Sequence, residues 1–400
     1  MSTLQGIGTY LPVWVDGRRR VAGADEDALT LAVAAGRAVL HGEGVPDDYV
    51  TKVVLVTRDL PLVEGGNGAA LLAGLGLARG VSVVEQVGGA PDVLDVISGA
   101  EPRTLVLAAD LDPAGAGACL VGPDGASEAT LSLLGRVTRS LPVTSRGRDG
   151  IRWDYDDPRL MLERGAKVAL AELDLGKVPD VVAGLGAKPA GALSAGTAPL
   201  LPTTGASAAV FALAAARPGD VVLASEQASA VAAALTATPP VHRDEAALRE
   251  VSRTRATPGP DIGISLPAYD RAFDAKVRWE AGRCDACGHL AMPPRLRCTR
   301  CGSEDGWSLE PLPRTGVVYS KVDIHVPVPG RATPYSLAIV ELDGTDVRTL
   351  VTVTGAPAGS VDIGDRGTLV LRLVDTRSGV PDYGHALLPE SVVDPEGESA

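Results

Sequence analysis

The sequence predicts a layered α/β protein that ends in a small four-cysteine metal-binding unit and a small antiparallel β-barrel. Three observations predict it. Over residues 1–240, short apolar β-rich runs take turns with helical runs. Four of the five cysteines lie between Cys284 and Cys301, and beyond Trp307 the pattern turns to period-two alternation with turn residues.

Four hundred residues exceed what one core usually serves and predict two or three domains. With 47 glycines against 2 Phe, 4 Trp and 7 Tyr, the cores are packed from small aliphatic side chains. The 37 Lys and Arg against 50 Asp and Glu leave a formal charge of −13, which opposes affinity for a phosphate backbone, so no nucleic-acid partner is expected. There is no basic-then-apolar leader and no run of about 18 apolar residues, so the expectation is a cytoplasmic protein with no membrane partner.

In chain order, Ile7 to Pro12 reads as a short strand. Asp25-Glu26-Asp27 then caps an apolar-periodic helix over Ala28 to Leu40, with acids favourably placed at its N-terminus. Strands are expected at Val53–Thr57, Val81–Val87, Thr104–Ala109, Ala116–Val121, Val181–Leu185 and Val221–Ser225. Helices are expected at Gly68–Leu77, at Pro91–Ser98 with proline in the first turn, and at Pro158–Leu173, Gly205–Ala215 and Gln227–Leu235. The strands are apolar enough to be buried on both faces, as in a layered α/β domain over 1–240.

Several motifs in this half carry a resemblance. Tyr10-Leu11-Pro12, the run Val21 to Asp27, Ala109-Asp110 with Gly115 to Gly122, and later Thr204 to Ala208 and Pro218-Gly219-Asp220, resemble the thiolase superfamily. More narrowly, they are similar to the branch holding HMG-CoA synthase and β-ketoacyl-ACP synthase III. The resemblance implies an αβαβα fold. It also implies a cysteine nucleophile that holds an acyl group as a thioester, with His and Asn, or Glu and His, to activate it and steady the oxyanion.

Here the chain departs from that pattern. The nucleophile's place, after a strand ending in Glu and opening a buried helix, falls in Glu85 to Pro91, where Ala90 stands. Gly184 to Pro189 holds no histidine, and Pro202-Thr203-Thr204 holds no asparagine. The glycine-rich turn near the end of the fold is replaced by Ser225 to Ser229. The expectation is therefore no catalytic residue, with Ala90 at the nucleophile position. Cys119, in an apolar run, reads as a small buried hydrophobe. His41 closes the first helix, His242 lies solvated in a polar linker, and Asp154, Asp156 and Asp157 read as caps for the Pro158 helix.

Residues 241–275 read as a linker rich in Pro, Thr, Arg and Asp, with a short helix at Glu245–Val251 and a lead-in helix from Leu266. In 276–310, Cys284-x2-Cys287 and Cys298-x2-Cys301 supply four thiolates, the set of a closed tetrahedral zinc site. Gly288 and Gly302 follow the second cysteine of each pair, where such turns need positive φ. With four cysteines no position is left for a reactive water, so zinc is structural and Cys284, Cys287, Cys298 and Cys301 are its ligands. His289 is a spare neighbour. Strands at Gly316–His325, Ser336–Leu342, Val347–Val353, Gly367–Val374 and Ala386–Leu388 predict a five-stranded OB fold over 311–390, and 391–400 reads as a disordered tail.

The segment Leu266 to Leu388 resembles the OB-fold and zinc-ribbon family found fused to, or encoded beside, thiolases and HMG-CoA synthase-like proteins. The four cysteines, Pro293-Pro294-Arg295, Trp307, Gly316 to Ser320 and Pro334-Tyr335 carry that resemblance. It implies a domain that bridges subunits and helps hold acyl-CoA. Arg283, Arg295, Arg297 and Arg300 are the basic groups nearest the ribbon, with Arg295 and Arg297 the candidates for CoA phosphates. The expected function is a non-catalytic subunit of an acyl-CoA carbon–carbon bond-forming or -cleaving complex, acting in a dimer or hetero-oligomer. Its expected partner is a catalytic thiolase-like or lipid-transfer-type thiolase subunit. The alternatives are an active acyltransferase using Cys119 or a serine, and a nucleic-acid- or protein-binding OB module.

Overall fold

A computed structural model describes residues 1–17, 19–60, 63–146, 151–155, 157–196, 199–260 and 263–393. The chain forms two units. One comprises 1–11, 31–60 and 80–244; the other comprises 12–30, 61–79 and 245–400. The division is not collinear, since two excursions from the N-terminal 80 residues cluster with the C-terminal part.

The first unit is built on one ten-stranded mixed sheet. Its first half contains β1 (Ser2–Leu11), β2 (Lys52–Val56), β3 (Ser82–Gln86), β4 (Thr104–Leu111) and β5 (Ala114–Gly122), in the order β1-β5-β4-β2-β3. The second half contains β6 (Thr130–Val137), β7 (Val181–Ala183), β8 (Val221–Glu226) and β9 (Ser229–Leu235), in the order β7-β8-β9-β6. A tenth strand, β10 (Val241–Glu245), pairs with β1. The halves are joined in the sheet where Ser2 and Thr3 face Leu131 and Thr130.

The helices of this unit include α1 (Ala28–Gly42), which enters it from Leu31 onward, α3 (Ala90–Gly99), α4 (Lys167–Leu173), preceded by a helical turn at Pro158–Leu160 and a π-helix at Met161–Ala166, α5 (Ala187–Leu193) and α6 (Ala208–Ala215); α2 (Gly68–Leu75) belongs to the second unit. The helices α3 and α6 pack on each other and on strands of both sheet halves. Their apolar side chains and those of the strands form one continuous core, from Leu4 and Val56 through Val93, Ile97 and Val210 to Val222 and Ala233. A separate cluster packs α4 and α5 on β7, β8 and β9, through Ala169, Ala190 and Leu193 against Val182, Leu223 and Ala232. On the first half, α1 lies so close to β1 that a Cβ on Gly8 would sit 2.1 Å from the Ala35 carbonyl. Gly117 on β5 plays the same part toward α6, where a Cβ would come 2.5 Å from Val210. Helix, sheet half, helix pair, sheet half and helix give the expected αβαβα layering.

Two expected helices are strands. The helix expected at Gln227–Leu235 is a turn followed by β9 (Ser229–Leu235), paired antiparallel with both β8 and β6. It has sheet on both edges and helices on both faces, so burial selects small side chains there and overrides helix propensity. Glu245–Val251 is no helix: β10 ends at Glu245, and Arg249–Glu250 pairs parallel with Trp14–Val15. The strand β6 had no clear signature, because its exposure alternates only in part.

The second unit carries the lead-in helix α7 (Leu266–Phe273), continued by a π turn at Asp274–Arg278. The three-stranded ribbon sheet follows, with β11 (Glu280–Cys284) flanked by β12 (Leu290–Ala291) and β13 (Trp307–Pro311). Next come β14 (Thr315–Ile324), β15 (Tyr335–Leu342), β16 (Arg348–Thr352), β17 (Arg366–Arg377) and β18 (Val380–Pro389), an antiparallel sheet ordered β16-β15-β14-β17-β18. A bridge from Val353 to Leu387 joins its two edges, which closes the OB barrel. Trp279 and Ala281 belong to the barrel core with Val318, Val340, Leu369 and Leu387.

The excursion carrying Val21 to Asp27 is tied into this unit by polar contacts. Arg372 and Glu26, with side chains 4% and 3% exposed, form an ion pair at 3.1 Å. Glu26 also accepts from the Gly23 amide at 2.7 Å. Tyr383 donates to Asp27 at 2.7 Å, and the amide of Leu373 donates to the Asp25 carbonyl at 2.8 Å. Asp27 and Thr30 bond reciprocally, side chain to backbone amide, each at 2.9 Å, so Asp27 caps α1 as the sequence suggested. Among the described residues no helix is long and apolar enough to cross a membrane. Most of the expected tail, 394–400, and Asp156 lie outside the described residues.

Candidate functional site

In the ribbon, each cysteine pair sits on a turn closed by backbone bonds: Gly288 N to Cys284 O at 2.8 Å, and Gly302 N to Cys298 O at 3.0 Å. The two glycines have φ of 72° and 77°, which explains their presence. The turns bring all four sulfurs within 4.8 Å of one another, with Cys284 to Cys301 at 3.8 Å and Cys287 to Cys298 at 3.7 Å. A tetrahedron with metal–sulfur bonds of about 2.3 Å has edges of about 3.8 Å, so the donor set fits a zinc ion. Backbone amides of Cys301 and Arg300 hold the Cys298 thiol below its ordinary value, while at Cys287 the backbone bond from His289 is outweighed by burial and the neighbouring sulfurs, which push that thiol up. His289 turns its Nε2 to Thr299 Oγ1 at 3.3 Å and takes no part in the cluster.

Of the ribbon arginines, Arg283 is committed to Glu310 through two bonds. Arg297 donates to the Gly302 carbonyl at 3.1 Å and lies 3.9 Å from Glu304. Arg295 and Arg300 are exposed. The four arginines therefore do not form one cluster of free cations.

The first unit contains a crevice of about 460 Å3, lined from several segments of the sheet and its loops. Val87 comes from the end of β3, Gly184 to Gly186 from the loop after β7, Thr204 and Gly205 from the approach to α6, and Glu226 and Gln227 from the β8–β9 turn. Among its lining residues there is neither cysteine nor histidine. In their stead Arg58 and Glu226 form a two-bonded ion pair, and Arg146 binds Asp59 at 2.7 Å. Burial opposes the Arg58 charge, but the hydrogen bonds and charge of Glu226 more than offset it and hold the guanidinium above its ordinary range.

Ala90, at the expected nucleophile position, opens α3, is fully buried and is not among the residues lining the crevice. A Cβ on its neighbour Gly89 would fall 1.6 Å from Glu226 Oε2, so the ion pair rests directly on the start of α3.

Asp110, which the sequence flagged only within a motif, is a buried clamp. It accepts from the amides of Ala206 and Ser207 at 2.7 and 2.8 Å and from the Ser207 hydroxyl at 2.5 Å. Burial still pushes its carboxyl up to about 6, against those bonds. Cys119 lies in the core, where burial pushes its thiol up to about 12, so it is no nucleophile.

The solvated reading of His242 is corrected: its Nε2 lies 2.7 Å from Glu43 Oε1. Of the acidic cluster, Asp157 caps the following helix, accepting from Arg159 and Leu160, whereas Asp154 binds Thr144 and Arg152. Arg58 and Glu226 escaped sequence reasoning because 168 residues separate them; the Arg-Asp pair just after a buried strand was the one local sign. A second crevice, of about 450 Å3, lies within the other unit between residues 22–25, Arg331 to Ser336, Thr352 to Ala356 and Arg372 to Thr376.

An α/β unit of αβαβα layering together with a zinc-ribbon and OB-fold unit defines the class of this protein. Residues 275–305 match the rubredoxin-like zinc ribbon domain of ChsH2, and 309–372 match its C-terminal OB-fold domain. The benzoylsuccinyl-CoA thiolase subunit BbsA of Thauera aromatica is 36% identical over 125 residues, which are 30% of this chain and 85% of that protein. The chain therefore belongs to the BbsA family. A second BbsA, from Geobacter metallireducens, is 45% identical over 60 residues, 15% of this chain and 40% of that protein.

Among solved structures, the Ltp2-ChsH2(DUF35) aldolase is 27% identical with a TM-score of 0.27, covering 33% of this chain and 98% of that one. A 3-oxoacyl-(acyl-carrier-protein) synthase III is 16% identical with a TM-score of 0.45, covering 59% of this chain and 99% of that one.

Proposed function

We propose that this chain is a non-catalytic subunit of an acyl-CoA complex that forms or cleaves carbon–carbon bonds, working beside a catalytic thiolase-like or lipid-transfer-type thiolase subunit in the cytoplasm. The observation that carries the reading is the crevice. Its lining, from Val87, Gly184 to Gly186, Thr204-Gly205 and Glu226-Gln227, holds the Arg58–Glu226 ion pair and neither cysteine nor histidine, and Ala90, outside that lining, stands where the resemblance expects the nucleophile. Acyl transfer through a thioester needs a thiolate with a base beside it, and the buried Cys119 has neither access nor a base.

The ribbon and barrel bridge subunits and help to hold acyl-CoA, with zinc as the structural ion of the four cysteines. BbsA bears the name of a thiolase subunit, and that name supports a partner for this chain. Arg295 and Arg297 are the groups we assign to CoA phosphates, as charge-assisted donors at the ribbon tip.

The test is intact mass of the purified chain before and after incubation with acetyl-CoA and longer acyl-CoAs, beside native mass with and without a candidate thiolase subunit. The reading expects no covalent adduct, noncovalent CoA on the complex, and activity only when the partner is present. An acyl group on one residue, or turnover by the chain alone, overturns it.

A further inference from the structure

We infer that the Arg58–Glu226 pair is a built-in plug, which seals position 90 from the crevice and keeps the first unit shut to acyl groups even if a nucleophile were restored. Three observations carry it. The pair spans β8 and the end of β2 in a bidentate contact, and Arg58, Gly184 and Glu226 line the crevice while Ala90 does not. Glu226 lies against Gly89, the residue before Ala90, so closely that no Cβ could stand there. The turn that carries Glu226 is held rigidly. Gln227 takes φ of 52°, and its side chain receives the Val143 amide at 3.1 Å and donates to the Thr144 carbonyl at 3.4 Å. Gly165 meets the Gln227 carbonyl so closely that a Cβ would come within 2.0 Å of it.

A flexible carboxylate could swing aside for a ligand; one mounted on a pinned turn and bound twice to a partly buried arginine stays in place. The loss of function is then double, in the missing thiol and in the occupied space. A thiol at position 90 would open a helix, where the N-terminal dipole lowers its pKa. Burial and the Glu226 carboxylate act against that. A bulk-preserving variant, which removes the charges and keeps the space filled, is therefore what separates access from acidity, and a fast-reacting bulk-preserving variant would overturn the plug. This inference concerns the crevice alone and stands whether or not a partner subunit exists.

The experiment compares Ala90→Cys with Ala90→Cys/Arg58→Ala/Glu226→Ala and with the bulk-preserving Ala90→Cys/Arg58→Met/Glu226→Gln. Each full-length, zinc-loaded protein is treated with iodoacetamide under native conditions, and alkylation at position 90 is followed by peptide mass. Circular dichroism and zinc content verify folding.

The Ala90→Cys thiol should react about 100-fold more slowly than that of the alanine triple variant, and the bulk-preserving variant should stay slow. Equal rates in Ala90→Cys and the alanine triple variant would overturn the plug, as would a folded alanine triple variant that remains protected. Should that variant fail to fold, Ala90→Cys/Glu226→Ala replaces it, with the same two outcomes decisive.

Discussion

Replacing Arg372 by methionine removes the cation from a pair that has almost no access to water. Glu26 keeps its bond from the Gly23 amide but loses the guanidinium at 3.1 Å, at a site where its side chain is 3% exposed. A buried carboxylate left without its counter-charge costs about 3–5 kcal/mol, whereas removing both charges together is far milder. With a urea slope of about 2–3 kcal/mol/M, the loss moves the unfolding midpoint of the second unit down by about 1–2 M.

Because the chain has two units, the transition is read by hydrogen exchange in peptides covering 366–389 rather than from a whole-molecule signal. Glu26→Gln/Arg372→Met should recover at least about 2 kcal/mol of the single-variant loss, a coupling that packing alone would not produce. A cost under about 1 kcal/mol for Arg372→Met, or a double variant as unstable as the single one, would refute the argument.

Asp110 predicts an inverted pH response. Its carboxyl is raised from 3.8 to about 6, so the folded state holds the proton more tightly than the unfolded chain does. This group's contribution is greatest below about pH 4 and falls as pH rises through about 6, by about 3 kcal/mol at most. Urea midpoints across that range should therefore decline in the wild type relative to Asp110→Asn, and parallel profiles would count against it. Cys298→Ser should drop zinc content from one ion per chain to near none and expose 280–310 to protease; a folded, metal-free ribbon would rule out structural zinc. Reversing Arg295 to glutamate should weaken CoA binding by the complex about threefold to tenfold at low salt, less as salt rises, and an unchanged affinity would remove Arg295 from the phosphate site.

The ribbon was legible because its chemistry is local: two short turns with a glycine after each pair fix four ligands within 18 residues of chain. The alternation of strands and helices was legible where β-branched residues marked the strands. It failed at Ser229–Leu235, where alanine, a good helix former, is also what fits a strand covered on both faces. That position 90 is an alanine opening a buried helix could be read from the sequence. What fills the crevice could not, since Arg58 and Glu226 meet through tertiary structure alone. Of the acidic run Asp25 to Asp27, Asp27 caps the helix as read, whereas Glu26 pairs with Arg372. Nothing local disclosed that Arg372 and Tyr383, more than 300 residues later, are the partners of this segment.

The distance along the chain from Asp27 to Arg372 also sets a clock for synthesis. At a translation rate of about 5–20 residues per second, the segment Val21 to Asp27 leaves the ribosome about 20 to 70 seconds before β17 exists to receive Glu26 and Asp25. Through that interval a carboxylate destined for burial is solvated, and Val13 and Trp14 wait for Leu388 and Val370. A nascent chain halted or cut before residue 366 would carry an unfinished second unit at both of its ends. Such truncated products should be the species that chaperones and proteases of the cell meet first.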